Sequence, residues 1–355
     1  KADKDKTSSE EQRIFWLDPF VPNLLCFLPT DLSILACPMV AEQRTLIVQD
    51  KASCFPPLAL LPPPGATVID GCSAPGNKTS LLSALMQGQG KLYAIELNAR
   101  RARPMDERLK ESGAANVEVV NTSFISIDPK DPKYAKTEYI LLDPSCSGSG
   151  NPALDVLLAN DGRMHAADSS HVRSLSDLQS SLIKHAFTFP KLKCLVYSTC
   201  SIYNRENEGV VYRVTQAAEE AGFELVPCLS RWPCRGFKHI LRTDLEGATG
   251  EKVPVRTEDE DGDRVRVPNG DFTARIFADE YHTGGFYVAC FRKKGSDWTL
   301  EEQVLRQTMQ WYGLEESPSE KQEVSEKERE VKGKADAPAG KKTVMKAKKT
   351  VVVKK

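Results

Sequence analysis

ATVIDGCSAPGNKTSLLSALMQGQGKLYAIEL, residues 66–97, decides the fold. ATVID (66–70) is a short apolar strand that runs straight into a Gly/Pro loop, GCSAPGN (71–77). From Lys78 the apolar residues of KTSLLSALMQGQG recur at helical spacing, and KLYAIEL (91–97) is a second strand. Strand, loop, helix and strand in this order is the repeat of an alternating α/β chain.

The alternation continues outward. NARRARPMDERLKESG (98–113) is helical in pattern, with Pro104 set to begin or kink the helix. Strands are predicted at 117–121, 138–143, 193–198, 223–227 and 284–291, and helices at 174–189 and 206–222. The sum is a doubly wound α/β domain over residues 63–295, preceded by a mixed segment, 1–62, with a Pro-rich end. Residues 150–173 are polar without period, and 243–270 are rich in Gly, Pro and acids; both read as surface-loop insertions, the second as a disordered one. Residues 296–355 read as a polar, Lys-rich disordered tail, and no internal repeat is present.

Composition narrows the function classes. No stretch reaches the roughly 18 consecutive apolar residues that a membrane helix needs. KADKDKTSSEEQR lacks the apolar centre of a signal peptide. The chain begins at Lys1 without Met, which is expected of a fragment. None of the ten cysteines is spaced C-x-x-C, so no zinc site is expected, and in an intracellular compartment the thiols would be reduced. The formal charge of −1 is unevenly placed. Residues 332–355 hold nine lysines against Asp336, a balance of +8, which leaves about −9 on residues 1–331. An acidic body needs a local basic groove to bind nucleic acid; the tail reads either as a solvated solubility tail or as a nucleic-acid arm or a nuclear and nucleolar address.

Asp70, Glu96, Asp143 and Cys200 all fall at predicted strand ends, and Cys146 lies just past one. In a doubly wound sheet, ligands bind at the carboxyl ends of the strands. The small residues of 71–77 let a ligand approach the helix N-terminus closely. An acid in the place of Glu96 can accept hydrogen bonds from ribose hydroxyls. Two cysteines and an acid at one cleft suit methylation at carbon 5 of a cytosine. That carbon is a poor nucleophile until a thiolate adds to carbon 6. The chemistry then asks for an acid near N3 and the exocyclic amine, and for a group that helps release the product. Asp143, Cys146 and Cys200 would supply these roles, but spacing does not say which cysteine attacks.

DGCSAPGNKT (70–79), LLDPSCSGSG (141–150) and YSTCSIYNRENE (197–208) resemble the motifs of the Sun-type (Nop/Sun) RNA cytosine-5 methyltransferases. VQDKASC (48–54) and GGFYVACF (284–291) are similar too, so the resemblance spans about residues 20–294. It is most specific to the fifth human subfamily, which acts on a cytosine of large-subunit (28S) ribosomal RNA. The resemblance implies a Rossmann-like methyltransferase fold, with a seven-stranded mixed sheet and helices on both faces. It implies S-adenosylmethionine as cofactor, held by Cys72, Ser73, Ala74, Pro75, Gly76, Asn77 and Lys78, with Glu96 at the ribose, Arg101 on the cofactor side, and Asp143 at cofactor and base. It assigns Cys200 as the nucleophile and Cys146 to product release, with Lys78 orienting Asp143. DNA cytosine methylases use the earlier cysteine instead. The implied partner is ribosomal RNA or a preribosomal particle, without membrane or metal, and the implied home is the nucleolus. The chain departs from the family in reading Asp143-Pro144-Ser145-Cys146 where most members read Asp-x-Pro-Cys. It also places Ser123 where an acid is common.

Other classes fit less well. A nicotinamide oxidoreductase would want G-x-G-x-x-G. A cysteine hydrolase would want a histidine base, and none of His165, His171, His185, His239 and His282 lies at a predicted strand end near Cys146 or Cys200. A catalytically silent RNA-binding assembly factor would not need Cys146, Cys200, Asp143 and Lys78 intact.

Overall fold

The computed structural model describes residues 15–27, 32–42, 46–151, 169–248, 254–256, 259–277 and 283–296. The chain divides into a compact unit, Lys1–Trp311, and a second, Tyr312–Lys355, which lies wholly outside the described residues. The tail and most of the 150–173 insertion therefore lie outside them as well.

The main sheet has eight strands: β1 (Thr67–Asp70), β2 (Lys91–Ile95), β3 (Val117–Val120), β4 (Tyr139–Leu142), β5 (Cys194–Thr199), β6 (Phe223–Val226), β7 (Ala274–Ile276) and β8 (Phe286–Lys293). The order is β3-β2-β1-β4-β5-β8, parallel from β3 to β5 and antiparallel at β8. β6 and β7 both pair with the outer edge of β8, at its two ends. The sequence predicts seven strands; the eighth, β7, is three residues long, too short for an alternating pattern to register.

Side-chain alternation explains why helices cover both faces. Ile69, Ile140, Leu142, Leu195, Tyr197 and Tyr287 enter one core, while Val68, Tyr139, Leu141, Val196 and Val288 enter the other. Helices α4 (Ser170–Ala186) and α5 (Glu208–Glu220) close the first through Leu182, Ile183, Val210 and Val214. Helices α1 (Lys51–Leu60) and α2 (Asn77–Leu85) close the second. Helix α3 (Ala99–Glu111) packs Met105 and Leu109 against Ala94 and runs through Pro104 without ending there.

Two loop expectations are corrected, and the Pro-rich end takes a definite form. The Pro-rich end of 1–62 is helix α1, almost wholly buried despite Pro56 and Pro57 inside it. Pro57 has no N–H to offer Ser53, and the Gln49 side-chain amide takes that carbonyl instead, at 2.9 Å. The described part of 243–270 is more than loop. His239–Leu241, Glu260–Asp261 and Arg264–Arg266 form a small antiparallel sheet that sends Ile240, Val265 and Val267 into the core. Helix α4 starts inside the supposed 150–173 insertion, where Ser169 caps it by accepting the Val172 N–H.

Asp50 caps α1. Its Oδ1 accepts the Ala52 N–H at 2.8 Å and the Thr283 hydroxyl at 2.6 Å, joining the helix to the segment before β8. Asp50→Ala is expected to lower stability by about 1–2 kcal/mol, read as a urea midpoint shift at unchanged slope. Because the two residues share one hydrogen bond, adding Thr283→Val should cost less than it does alone. Strict additivity would refute the shared cap.

Candidate active site

β1, β2, β4 and β5 are parallel, so Asp70, Glu96, Asp143 and Cys200 leave the sheet along one edge. The loop after β1 is pinned to that edge by backbone bonds. Gly71 N–H donates to Leu141 O at 2.8 Å, and Ser73 N–H to Ile95 O at 2.9 Å. Gly76, with φ +97°, turns the chain into α2, and a Cβ there would stand 2.8 Å from Met105 Cγ, so only glycine fits.

Glu96 is buried and accepts two backbone N–H groups, from Asn98 at 2.8 Å and Ala74 at 3.3 Å. Arg101 donates to Ala74 O at 2.7 Å and stands 3.8 Å from Glu96, while Arg108 donates to Pro75 O. Cys72 packs against the core; burial, then Asp70, pushes its thiol well above the usual range, so it is no nucleophile. Asn77 opens α2 and accepts the Ser80 hydroxyl at 2.8 Å. Asp70 is 1% exposed; its Oδ2 accepts the Thr79 hydroxyl at 2.7 Å and its Oδ1 has no protein partner. A cavity of 190 Å³ lined by Ile47, Val48, Gly76, Asn77, Ser80 and Arg108 adjoins the loop. The strand-end acids and the cysteines are not part of its lining, so the chemistry lies elsewhere.

Lys78 reaches from α2 to Asp143, Nζ to Oδ2 2.7 Å, and rests 5.2 Å from the Phe286 ring centre. Burial lowers the Lys78 ammonium, but Asp143 more than reverses this and the net shift is upward. The other Asp143 oxygen accepts the Ser198 hydroxyl at 2.7 Å. The two loop cysteines meet with Sγ atoms 3.1 Å apart. The bond from Cys146 lowers Cys200 against the opposing effect of burial, helped by Lys78. The same bond and burial raise Cys146. The contact therefore makes Cys200 the more acidic of the two thiols and Cys146 the less acidic.

Glu206 holds this pair and is completely buried. It accepts the Ser147 N–H at 2.9 Å, the Ser147 hydroxyl at 2.5 Å and the Gln179 amide at 3.0 Å. Gln179 also donates to Ser145 O, at 3.1 Å, so the shifted proline still leaves Cys146 facing Cys200. Gly150 N–H donates to Cys200 O at 2.9 Å, and Asn207 braces Ser201 and Thr199 from α5. Glu206, Asn207 and Gln179 were not among the sequence candidates. The signal for Glu206 and Asn207 was the run NRENE (204–208), whose charges lie five to eight residues past Cys200 yet do not face water; nothing local marks Gln179. Among the described residues no group of three His, Cys, Asp or Glu could hold a metal, and no helix is long and apolar enough to cross a membrane.

The family model for the 16S rRNA methyltransferase RsmB/F matches residues 57–292. The chain is 43% identical over 257 residues to the 25S rRNA (cytosine-C(5))-methyltransferase NSUN5 of Arabidopsis thaliana, covering 69% of this chain and 45% of that relative. It is 40% identical over 238 residues to the 28S rRNA (cytosine-C(5))-methyltransferase of Mus musculus, covering 65% and 50%. A crystal structure of a methyltransferase homologue from Pyrococcus horikoshii superposes with a TM-score of 0.59 at 26% identity, covering 79% of this chain and 78% of that one. The chain spans about half the length of these curated relatives.

Two titrations follow from the geometry. The alkylation rate of Cys200 by iodoacetamide, followed by peptide mass spectrometry, should have its pH midpoint below 9.0, and Cys146→Ala should raise it. A midpoint unmoved by Cys146→Ala would assign the lowering to Lys78 alone. Burial also pushes the Asp70 carboxyl up to about 7, against its bond from Thr79. The folded chain then holds a proton that the unfolded chain releases near pH 4, so this contribution to stability is full at low pH and lost as pH rises through 7. Urea midpoints should fall between pH 5 and pH 8 by the equivalent of about 2–4 kcal/mol, and Asp70→Asn should remove that dependence. An equal fall in the variant would assign it elsewhere.

Proposed function

We propose that this chain, which belongs to the 16S rRNA methyltransferase RsmB/F family, forms 5-methylcytosine in large-subunit ribosomal RNA with S-adenosylmethionine as methyl donor. The observation that carries this reading is the Cys146–Cys200 pair, 3.1 Å apart, beside the Lys78–Asp143 ion pair. The names of the relatives support the choice of substrate.

The cleft suits the cofactor. S-adenosylmethionine carries a sulfonium, an ammonium and ribose hydroxyls, all of which favour acceptors. Asp70, Glu96 and Asp143 provide them, and Asp70 Oδ1 is a buried acceptor without a protein partner. Residues 72–78 would line its path, with Glu96 at the ribose and Arg101 bracing the loop from outside. When bound, the cofactor supplies an electrophilic methyl group.

The remaining steps belong to the protein. The target cytosine must be unpaired or turned out of its helix to enter. Cys200 thiolate adds to carbon 6, its electron pair forming the S–C6 bond while the ring electrons move toward carbon 5. Asp143, held by Lys78 and Ser198, faces the N3 and amine edge. Once carbon 5 carries the methyl group, its proton passes to solvent water, the C5–H electron pair re-forms the C5=C6 double bond, and the S–C6 bond breaks with its electron pair returning to sulfur. A hydrogen bond from the Cys146 thiol stabilises that departing thiolate. The ribosomal RNA substrates in the names of its relatives and the Lys-rich composition of 332–355 support a nucleolar home.

Incubation with S-adenosylmethionine and large-subunit RNA, followed by denaturing gels, tests the roles. Cys146→Ala should accumulate a covalent protein–RNA adduct. Cys200→Ala should give none and should slow methyl transfer by on the order of 10³-fold or more. An adduct from Cys200→Ala would reverse the two assignments.

A further inference from the structure

Phe237 and Ile202 are exposed apolar side chains, 41% and 50%, at the mouth of the cysteine cleft. Thr199, Tyr287 and Arg275 lie in register across β5, β8 and β7, beside Cys200. The Arg275 guanidinium is buried between the rings of Tyr287 and Phe237, 5.7 and 4.4 Å from their centres, and donates to Ile202 O at 3.1 Å. Phe237 is fixed on one side by this cation and by its own N–H, which donates to Glu208 at 2.9 Å. Glu208 is itself bound to Arg275 at 2.7 Å. A rigid ring with one face on a buried cation and the other open is a stacking platform.

The chain continues from Phe237 into the small antiparallel sheet. Its outer face pairs Arg266 with His239 and Arg264 with Leu241, all exposed, while Ile240 and Val265 point into the core. Nearby, Lys238 and Arg242 are paired with Asp271 and Glu260. Asp261 stands opposite Arg264 on the third strand and Asp263 precedes it, so Arg264 and Arg266 are exposed cations set among carboxylates rather than a basic patch, and the Phe237 ring is the feature that marks this surface.

We infer that Phe237 stacks a base flanking the target cytosine, and that Arg264 and Arg266 track the phosphates of the same RNA strand. This rests on the RNA methyltransferase reading above. Bases stack on aromatic rings with little regard to sequence, so the surface would position the strand rather than read it.

Filter binding of fragmented, deproteinised large-subunit RNA tests the arginines. Arg264→Gln with Arg266→Gln should weaken binding about tenfold or more, and should flatten the plot of log affinity against log salt by about 1.4. Phe237→Ala should raise KM for methyl transfer about tenfold, more than it lowers kcat, and Phe237→Trp should restore it. A merely structural Phe237 would instead lower kcat and Tm together and would not be rescued by Trp. If the unaltered chain methylates RNA and the arginine variant keeps its affinity and salt slope, the inference fails alone. If that variant loses binding to preribosomal particles but not to bare RNA, the surface reads protein and the inference fails. If the unaltered chain neither binds nor methylates RNA, the methyltransferase reading fails and takes the inference with it.

Discussion

One buried carboxylate sets the site. Glu206 has no access to water, and an unpaired charge there would cost several kcal/mol or more. Its partners are the N–H and hydroxyl of Ser147 and the amide of Gln179, so its demand for donors is met by the residue next to Cys146. Since Glu206 lies on the chain just after Cys200, the two cysteine loops cannot be placed independently. Gly150 completes the tie from the other side: its N–H bonds Cys200 O, its O accepts the Gly285 N–H, and a Cβ on it would stand 2.2 Å from Gly285 O. The sulfur separation follows from these bonds rather than from any attraction between thiols.

The sheet edge divides its chemistry along its length. Around β1 and β2 it offers acceptors, Asp70 and Glu96, and a loop whose backbone is already committed to the strands. Around β4 and β5 it offers sulfur. Lys78 belongs to both, rising from the helix that begins the first half and ending on Asp143 in the second. Placing one cation there satisfies Asp143 and favours a thiolate at Cys200 with the same charge. The proposed cofactor and the proposed nucleophile are thereby coupled through one side chain.

Much of this was legible in the sequence. The alternation of strands and helices, the small-residue loop and the strand-end acids depend on local pattern, and local pattern is what a sequence displays. What escaped depends on partners distant in the chain. Helix α1 reads only as a Pro-rich end because the Thr283 hydroxyl that fixes its Asp50 cap lies 233 residues away, although the donor that takes its freed carbonyl, Gln49, is local. Strand β7 exists because β8 is there to pair with. The acid-rich 243–270 segment hides Val265 and Val267 among charges, and only their burial shows that they alternate toward a core. Glu206 reads as a solvated helix start until Ser147, 59 residues earlier, is brought to it.

Proximity of two thiols does not make a nucleophile, as a second pair in the same chain shows. Cys194 and Cys290 lie across β5 and β8 with Sγ atoms 3.4 Å apart, both completely buried in the core. There the contact and burial drive Cys290 well above the usual range, and its thiol is inert. Cys146 and Cys200 share the contact but differ in what surrounds it. Cys200 sits where the strand ends, near the Lys78 cation, and there the Cys146 contact lowers its thiol instead of raising it. Chemistry is placed by the edge of the sheet and by one lysine; the same two atoms a strand-length away are simply packing.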